Sequence, residues 1–189
     1  MYPTQQTRLA ALRDFFLSRS GDDLEQACRQ LNKLEKSDAA PADAMDWETA
    51  EFAFNRLFVG PMAPEAPPYA SCYLEEEPRL MGESTLEIRR IYEMAGLSSP
   101  LQGRLPDDHL GLELDAALGL TSAAATPDME APRALWAYFL NTHLKVWVPL
   151  FLEKARNADT SHPALDLVLD ALEDWLAGQD PIPTDEKTG

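Results

Sequence analysis

The spacing of apolar residues constrains the fold of this chain more than any other feature of its sequence. In several segments these residues recur at positions i, i+3, i+4 and i+7, which places them on one face of an α-helix. The clearest cases are the sets Leu24, Ala27, Cys28, Leu31; Ile88, Ile91, Tyr92, Ala95; and Leu165, Val168, Leu169, Leu172, Leu176. No segment shows the strict alternation that is typical of a half-buried strand. The pattern predicts helices near 4–19, 22–36, 46–58, 84–95, 107–119, 131–156 and 162–177.

Residues that favour helix ends agree with these segments. The N-cap candidates are Asp22, Asp46, Ser84 and Asp107, and the candidates for C-terminal stops are Gly96 and Gly178. Pro149 predicts a break inside the longest segment, because proline cannot donate the helical hydrogen bond.

The length of 189 residues and the apolar content of 45% allow one sizeable hydrophobic core. We therefore expect an all-α fold, a single compact bundle of roughly seven to ten helices. A variant of this arrangement has two lobes joined by a connector near 98–106. The bundle domain is predicted over 1–178, followed by a flexible C-terminal tail at 179–189.

The charge of the chain limits the partners it can bind. There are 16 basic and 32 acidic residues, a formal net charge of −16. Nucleic acid is disfavoured, because affinity for phosphates comes mainly from lysine and arginine. Partners should be apolar, basic or both. No signal-peptide pattern and no apolar run of ~20 residues, the length of a membrane span, is present, so we expect a cytoplasmic protein.

Sequence motifs of common enzyme classes are missing. The chain has no GxSxG, GxxxxGK[ST], GxGxxG or HExxH motif. A helical metal-dependent enzyme that uses Asp107, Asp108, His109 and Glu113 is an alternative, since His109 and Glu113 have the i, i+4 spacing of ligands on one helix face. Two such ligands do not make a site, and we predict neither a metal nor a cofactor. Asp107 and Asp108 also suit an ordinary helix start, whereas a carboxylate beside His109 in a cleft could accept an arginine.

The segment 52–73 is the richest in aromatic and apolar groups. Phe54, Leu57 and Phe58 continue a helix face, and the chain then enters a proline-rich loop that ends in Pro68 and Tyr69. Apolar side chains on irregular, proline-stiffened backbone favour a groove for a peptide. A general peptide-binding regulatory bundle could use the same groove.

Residues 139–151 form a strongly apolar stretch that contains His143 and Trp147. Most of it should be core. The indole N–H and the imidazole need polar partners when buried, so this stretch is expected to carry part of a shared polar network.

With these residues in view, the sequence resembles the TorD/DmsD family of cytoplasmic redox-enzyme maturation chaperones. The resemblance covers roughly residues 50–177. Five strings occur in the order of the family: NRLFVGP (55–61), APPYASCY (66–73), LMGEST (80–85), PDDHLGLEL (106–114) and HLKVWVPLF (143–151). Ala53 and Ala70 depart from it, because relatives often carry acidic residues at these two positions.

The resemblance implies a non-enzymatic chaperone without a cofactor, a monomer or a domain-swapped dimer. It would bind the twin-arginine signal peptide of a molybdenum- or tungsten-cofactor oxidoreductase and hold the precursor until cofactor insertion and folding are complete. The residues that it implies for signal-peptide binding are Phe54, Leu57, Phe58, Pro68, Tyr69, Asp108 and His109. Supporting residues are Arg56, Tyr73, Asp107, Glu113, His143 and Trp147. The sequence does not identify the client oxidoreductase.

Overall fold

The computed structural model describes residues 3–34, 42–75, 82–101, 103–125 and 130–179. The α-helices in this part of the chain are α1 (Pro3–Phe16), α2 (Gly21–Leu34), α3 (Trp47–Phe54), α4 (Ser71–Leu74), α5 (Glu83–Met94), α6 (Leu110–Ala124), α7 (Glu130–Tyr138), α8 (Lys145–Arg156) and α9 (Pro163–Ala177). Two π-helical stretches, Asn55–Val59 and Phe139–Leu144, extend α3 and join α7 to α8. The described residues form no strand, and the prediction of an all-α fold is confirmed.

Helix α6 is the central element of the bundle. Ten of its residues are buried, on every side of the helix, which explains why its sequence has little amphipathic character. It packs against α1 and α7, while α9 packs against α1, α2, α3 and α8. One hydrophobic cluster contains residues from both sides of the 98–106 connector, so both sides share a core.

Several helix ends differ from the sequence-based expectation. Asp46 caps α3 as predicted, accepting hydrogen bonds from the backbone N–H groups of Glu48 and Thr49. Asp107, however, is not a cap: α6 begins three residues later, and its N-cap is His109. Asp22 and Ser84 likewise lie inside the first turns of α2 and α5. Oδ2 of Asp107 instead lies 2.9 Å from Nε of Arg89, and Asp22 is exposed.

Pro149 lies within α8 and does not end it. The predicted irregularity occurs earlier, in the π-helical stretch Phe139–Leu144. Proline removes one backbone donor, and a neighbouring change of helical pitch is a common way to accommodate such a loss. The predicted tail lies almost wholly outside the described residues and stays a prediction.

No helix in the described part of the chain is both long and apolar enough to cross a membrane.

Candidate functional site

The proline-rich loop between Gly60 and Pro68 is fixed at both of its ends. Gly60 has a φ of 126°, a conformation that favours glycine, and lets the chain turn away from the preceding π-helical stretch. Further along, the backbone N–H of Ala66 donates to the carbonyl of Leu57 at 2.8 Å. Arg56 forms an ion pair with Glu65 at 2.7 Å, and the hydroxyl of Tyr73 donates to the carbonyl of Pro67 at 2.9 Å. The supporting residues Arg56 and Tyr73 thus brace the loop.

A short antiparallel bridge then joins this loop to the start of α6. It pairs Tyr69 with His109, through Leu110 N–H to the Pro68 carbonyl at 2.8 Å and Ala70 N–H to the Asp108 carbonyl at 3.1 Å. The two rings meet edge to face, with centroids 5.0 Å apart. Two motifs about 40 residues apart in the chain are therefore held together by backbone pairing.

This junction forms part of the wall of an open groove of about 610 Å³. Of the seven predicted binding residues, Phe54, Phe58, Tyr69 and His109 line the groove. Phe58 is only 2% exposed and packs against Phe16 and Phe151, with ring centroids 5.6 and 5.7 Å away. The floor of the groove is thus continuous with the aromatic core.

Leu57, Pro68 and Asp108 do not line the groove, although they were predicted with the other four. Leu57 is buried in the core, and Pro68 contributes its carbonyl to the bridge. Asp108 is fully buried: one carboxylate oxygen accepts from the backbone N–H of Ser71 at 3.0 Å, and the other accepts from the hydroxyl of Thr85 at 2.8 Å. Asp108 is therefore placed to position the groove wall.

The groove also contains residues that the sequence analysis did not select. They include Phe16 at the end of α1, Leu17 just after it, Pro64 and Pro67 in the loop, and Leu101, Arg104 and Leu105 in the connector. The pair Phe15-Phe16 is strongly apolar, but its position in the sequence does not indicate that it packs near residues 54–69. The 98–106 connector, interpreted from sequence as a junction between lobes, supplies one wall.

His109 has two roles at this site. Its Nδ1 accepts a hydrogen bond from the backbone N–H of Gly111 at 3.1 Å, which caps α6. Burial lowers the pKa of His109 from 6.5 to about 4, although Asp108 acts in the opposite direction. Because Nδ1 is an acceptor, the neutral ring carries its proton on Nε2 and can act there as a donor.

One turn into α6, Glu113 forms a separate polar cluster, which we call the buried centre. Its carboxylate is fully buried and lies 2.7 Å from Nε2 of His143, and it accepts from the indole N–H of Trp147 at 2.8 Å. The expected shared network around His143 and Trp147 is confirmed. Asp107 belongs to neither region, because its Oδ2 lies 2.9 Å from Nε of Arg89.

Both ionisable groups of the buried centre are shifted. Burial raises the pKa of Glu113, and its hydrogen bonds to His143 and Trp147 only partly oppose this. For His143, burial alone would lower the pKa, but the attraction and hydrogen bond of Glu113 outweigh it and raise the pKa. Both shifts favour keeping a proton in this pair.

The four residues of the alternative metal site point to four different sets of partners. Asp107 pairs with Arg89, Asp108 with Ser71 and Thr85, His109 with Gly111, and Glu113 with the buried centre. Within the described ranges, no group of three or more His, Cys, Asp or Glu side chains is arranged to hold a metal ion.

The sequence of this chain is similar to those of a known protein family. The model of the family described as "Nitrate reductase delta subunit" matches residues 19–153. The Tat proofreading chaperone DmsD of Salmonella typhi is 33% identical over 124 residues, which are 64% of this chain and 57% of DmsD. The chaperone protein TorD of Aliivibrio salmonicida is 27% identical over 143 residues, covering 74% of this chain and 64% of TorD. The chain thus aligns with less than two thirds of the length of these relatives.

A crystal structure of an Archaeoglobus fulgidus protein assigned to redox enzyme maturation has the same fold. It superimposes with a TM-score of 0.62 and covers 92% of this chain and 94% of its own, at 17% sequence identity. At that identity the likeness establishes the fold alone.

Proposed function

Because this chain belongs to the nitrate reductase delta subunit family and to its TorD/DmsD group of redox-enzyme maturation chaperones, we propose that it is a cytoplasmic chaperone, not an enzyme. It binds the twin-arginine signal peptide of a molybdenum- or tungsten-cofactor oxidoreductase. By binding that peptide, it holds the precursor until cofactor insertion and folding are complete.

One observation carries the proposal: Phe58, Tyr69 and His109, from three separate sequence motifs, line one apolar groove. The groove is open to solvent, and its aromatic and proline walls are fixed by backbone hydrogen bonds before any ligand arrives. A preformed wall reduces the entropy that binding must otherwise overcome. Such a groove suits the apolar, helix-forming part of a signal peptide.

The net charge of the chain supports the same partner. A total of −16 attracts a peptide that carries an arginine pair and increases the rate of encounter. This attraction weakens as salt is added, because exposed charges are screened over a Debye length of about 10 Å at 0.1 M ionic strength. The apolar contacts should be much less sensitive to salt.

The test is calorimetric titration with synthetic twin-arginine signal peptides of cofactor-binding oxidoreductases, each beside a Lys-Lys version. Saturable binding with a negative heat-capacity change is expected for one of them, because apolar surface is buried. Tyr69→Ala should weaken that binding by about tenfold or more, since truncating a central aromatic contact often costs above 1 kcal/mol. Its matched control is Tyr138→Ala, because Tyr138 is exposed and lies outside the groove.

Equal losses in Tyr69→Ala and Tyr138→Ala would contradict this assignment of the groove. An absence of binding by every peptide to the folded protein would contradict the proposed function itself.

A further inference from the structure

The groove has a local charge opposite to that of the whole chain. Three cationic residues, Arg19, Arg104 and Lys154, line it. No aspartate or glutamate is found among its described lining residues. This is unexpected in a chain whose acidic residues outnumber its basic residues 32 to 16.

These three cations are also available to a ligand. All three side chains are exposed, and none forms an ion pair with a carboxylate of the described residues. Lys154 also lies 5.7 Å from the centre of the Tyr73 ring, a cation–π contact.

Several other arginines of the protein form ion pairs with carboxylates. Arg13, Arg56, Arg89 and Arg156 each pair with at least one carboxylate at 3.2 Å or less. Arg19, Arg104 and Lys154 therefore differ from these arginines, because none of the three side chains has a carboxylate partner among the described residues. Asp23 accepts a hydrogen bond only from the backbone N–H of Arg19, at 2.9 Å.

From this we infer that the groove selects an apolar peptide segment followed directly by an aspartate or glutamate, and that the arginine pair of the peptide lies outside it. Arg19, Arg104 and Lys154 attract a carboxylate at the rim and repel a guanidinium from it. The apolar floor binds the segment, while the rim fixes its direction. This inference rests on the proposed function and refines it by stating which peptides the site prefers.

The size of the preference follows from the exposure of the cations. Exposed ion pairs are weak, so replacing the carboxylate with a neutral amide should reduce affinity by roughly fivefold. Like charges at the same place should reduce it further. Added salt should diminish the difference between the peptides.

The experiment uses three synthetic peptides that share an Arg-Arg pair and an apolar helical segment of leucine and alanine. They differ in the residue directly after the apolar segment, which is Glu, Gln or Lys. Titration of the full chain should give affinities in the order Glu, Gln, Lys, with a roughly fivefold step between the first two.

Three protein variants locate the effect. Arg104→Gln should remove most of the preference for Glu over Gln. Arg90→Gln is the matched control, because Arg90 is an exposed arginine of α5 outside the groove and its replacement changes the net charge equally. The preference should persist in that control, and Arg104→Glu should shift the preference toward the Lys peptide.

The outcomes separate the inference from the proposed function. Equal affinities for the Glu, Gln and Lys peptides would overturn the inference and leave the proposed function supported. Equal loss of the preference in Arg104→Gln and Arg90→Gln would also overturn it, because overall charge would then be responsible. If none of the three peptides binds, the proposed function fails and the inference fails with it.

Discussion

His109 and Glu113 lie one helical turn apart, yet they belong to regions with opposite properties. His109 lines an open groove whose three cations have no carboxylate partner in the described ranges, whereas Glu113 is fully buried and hydrogen-bonded to His143 and Trp147. In the groove, exposed apolar and charged groups are left for a partner. In the buried centre, the carboxylate is already bonded by its own chain. Two residues that are close in the sequence therefore need not belong to the same binding site. A binding residue is identified instead by hydrogen-bonding groups or apolar surface that its own chain leaves available.

Removing Glu113 should produce the largest effect on stability. Glu113→Ala leaves the His143 ring and the Trp147 N–H buried without their partner, and we expect a loss of about 3–5 kcal/mol in the free energy of unfolding. Urea denaturation measures it. Glu113→Gln, which keeps an oxygen for one donor, is the control and should lose less. A loss below about 1 kcal/mol in the alanine variant would show that the buried centre contributes little.

Removing Asp108 should reduce the free energy of unfolding by an intermediate amount and should also weaken peptide binding. Asp108→Ala leaves the buried N–H of Ser71 and the hydroxyl of Thr85 without acceptors, at an expected loss of about 2 kcal/mol. Thermal or urea unfolding should show this loss, and Asp108→Asn should show roughly half of it. Peptide binding should weaken together with stability, unlike in Tyr69→Ala, where binding alone falls. Unchanged unfolding with weakened binding would instead place Asp108 in direct contact with the ligand.

The smallest expected effect is the pH dependence of the free energy of unfolding, which should have opposite signs for His109 and His143. The folded-state pKa of His109 lies below its unfolded value, so its stabilising contribution is complete above pH 6.5 and is lost as pH falls toward 4. Between pH 6.5 and 5.5 this should lower the free energy of unfolding by about 1 kcal/mol. His109→Asn keeps a good N-cap and should remove this slope. An identical slope in that variant would contradict the assignment.

For His143 the sign is reversed. Its pKa is raised in the folded protein, so its contribution is complete below pH 6.5 and is lost as pH rises above that value. The same unfolding measurements above pH 6.5, repeated on His143→Gln, test this side of the comparison.

Much of the fold could be predicted from the sequence, because helical periodicity is a local property. The predicted apolar sets in α2, α5 and α9 are buried, except that Ala95 is partly buried just after α5. Helix α6 also occurs near its predicted place, but its start is shifted because the backbone of Asp108 and Leu110 pairs with the loop at 68–70. That pairing is a long-range contact, and a cap motif read from neighbouring residues cannot reveal it.

Only some of the groove residues could be predicted from the sequence, because the groove also depends on long-range contacts. Phe54, Phe58, Tyr69 and His109 were selected from motifs and do line the groove, whereas Phe16, Leu105 and the three cations come from segments with no distinguishing motif. Asp108 was predicted to bind the signal peptide, but it is fully buried, and its two hydrogen bonds to Ser71 and Thr85 give it a positioning role.

The helical class, the apolar faces and the strong negative charge follow from the amino-acid sequence, since they depend on residue type and short-range spacing. Packing between distant segments is what bonds some polar residues to internal partners and leaves others available. It also placed Arg19, Arg104 and Lys154, which are distant in the chain, around one groove. The physical reason is that hydrogen-bond satisfaction, burial and local charge depend on packing between segments, and a linear pattern does not specify those contacts.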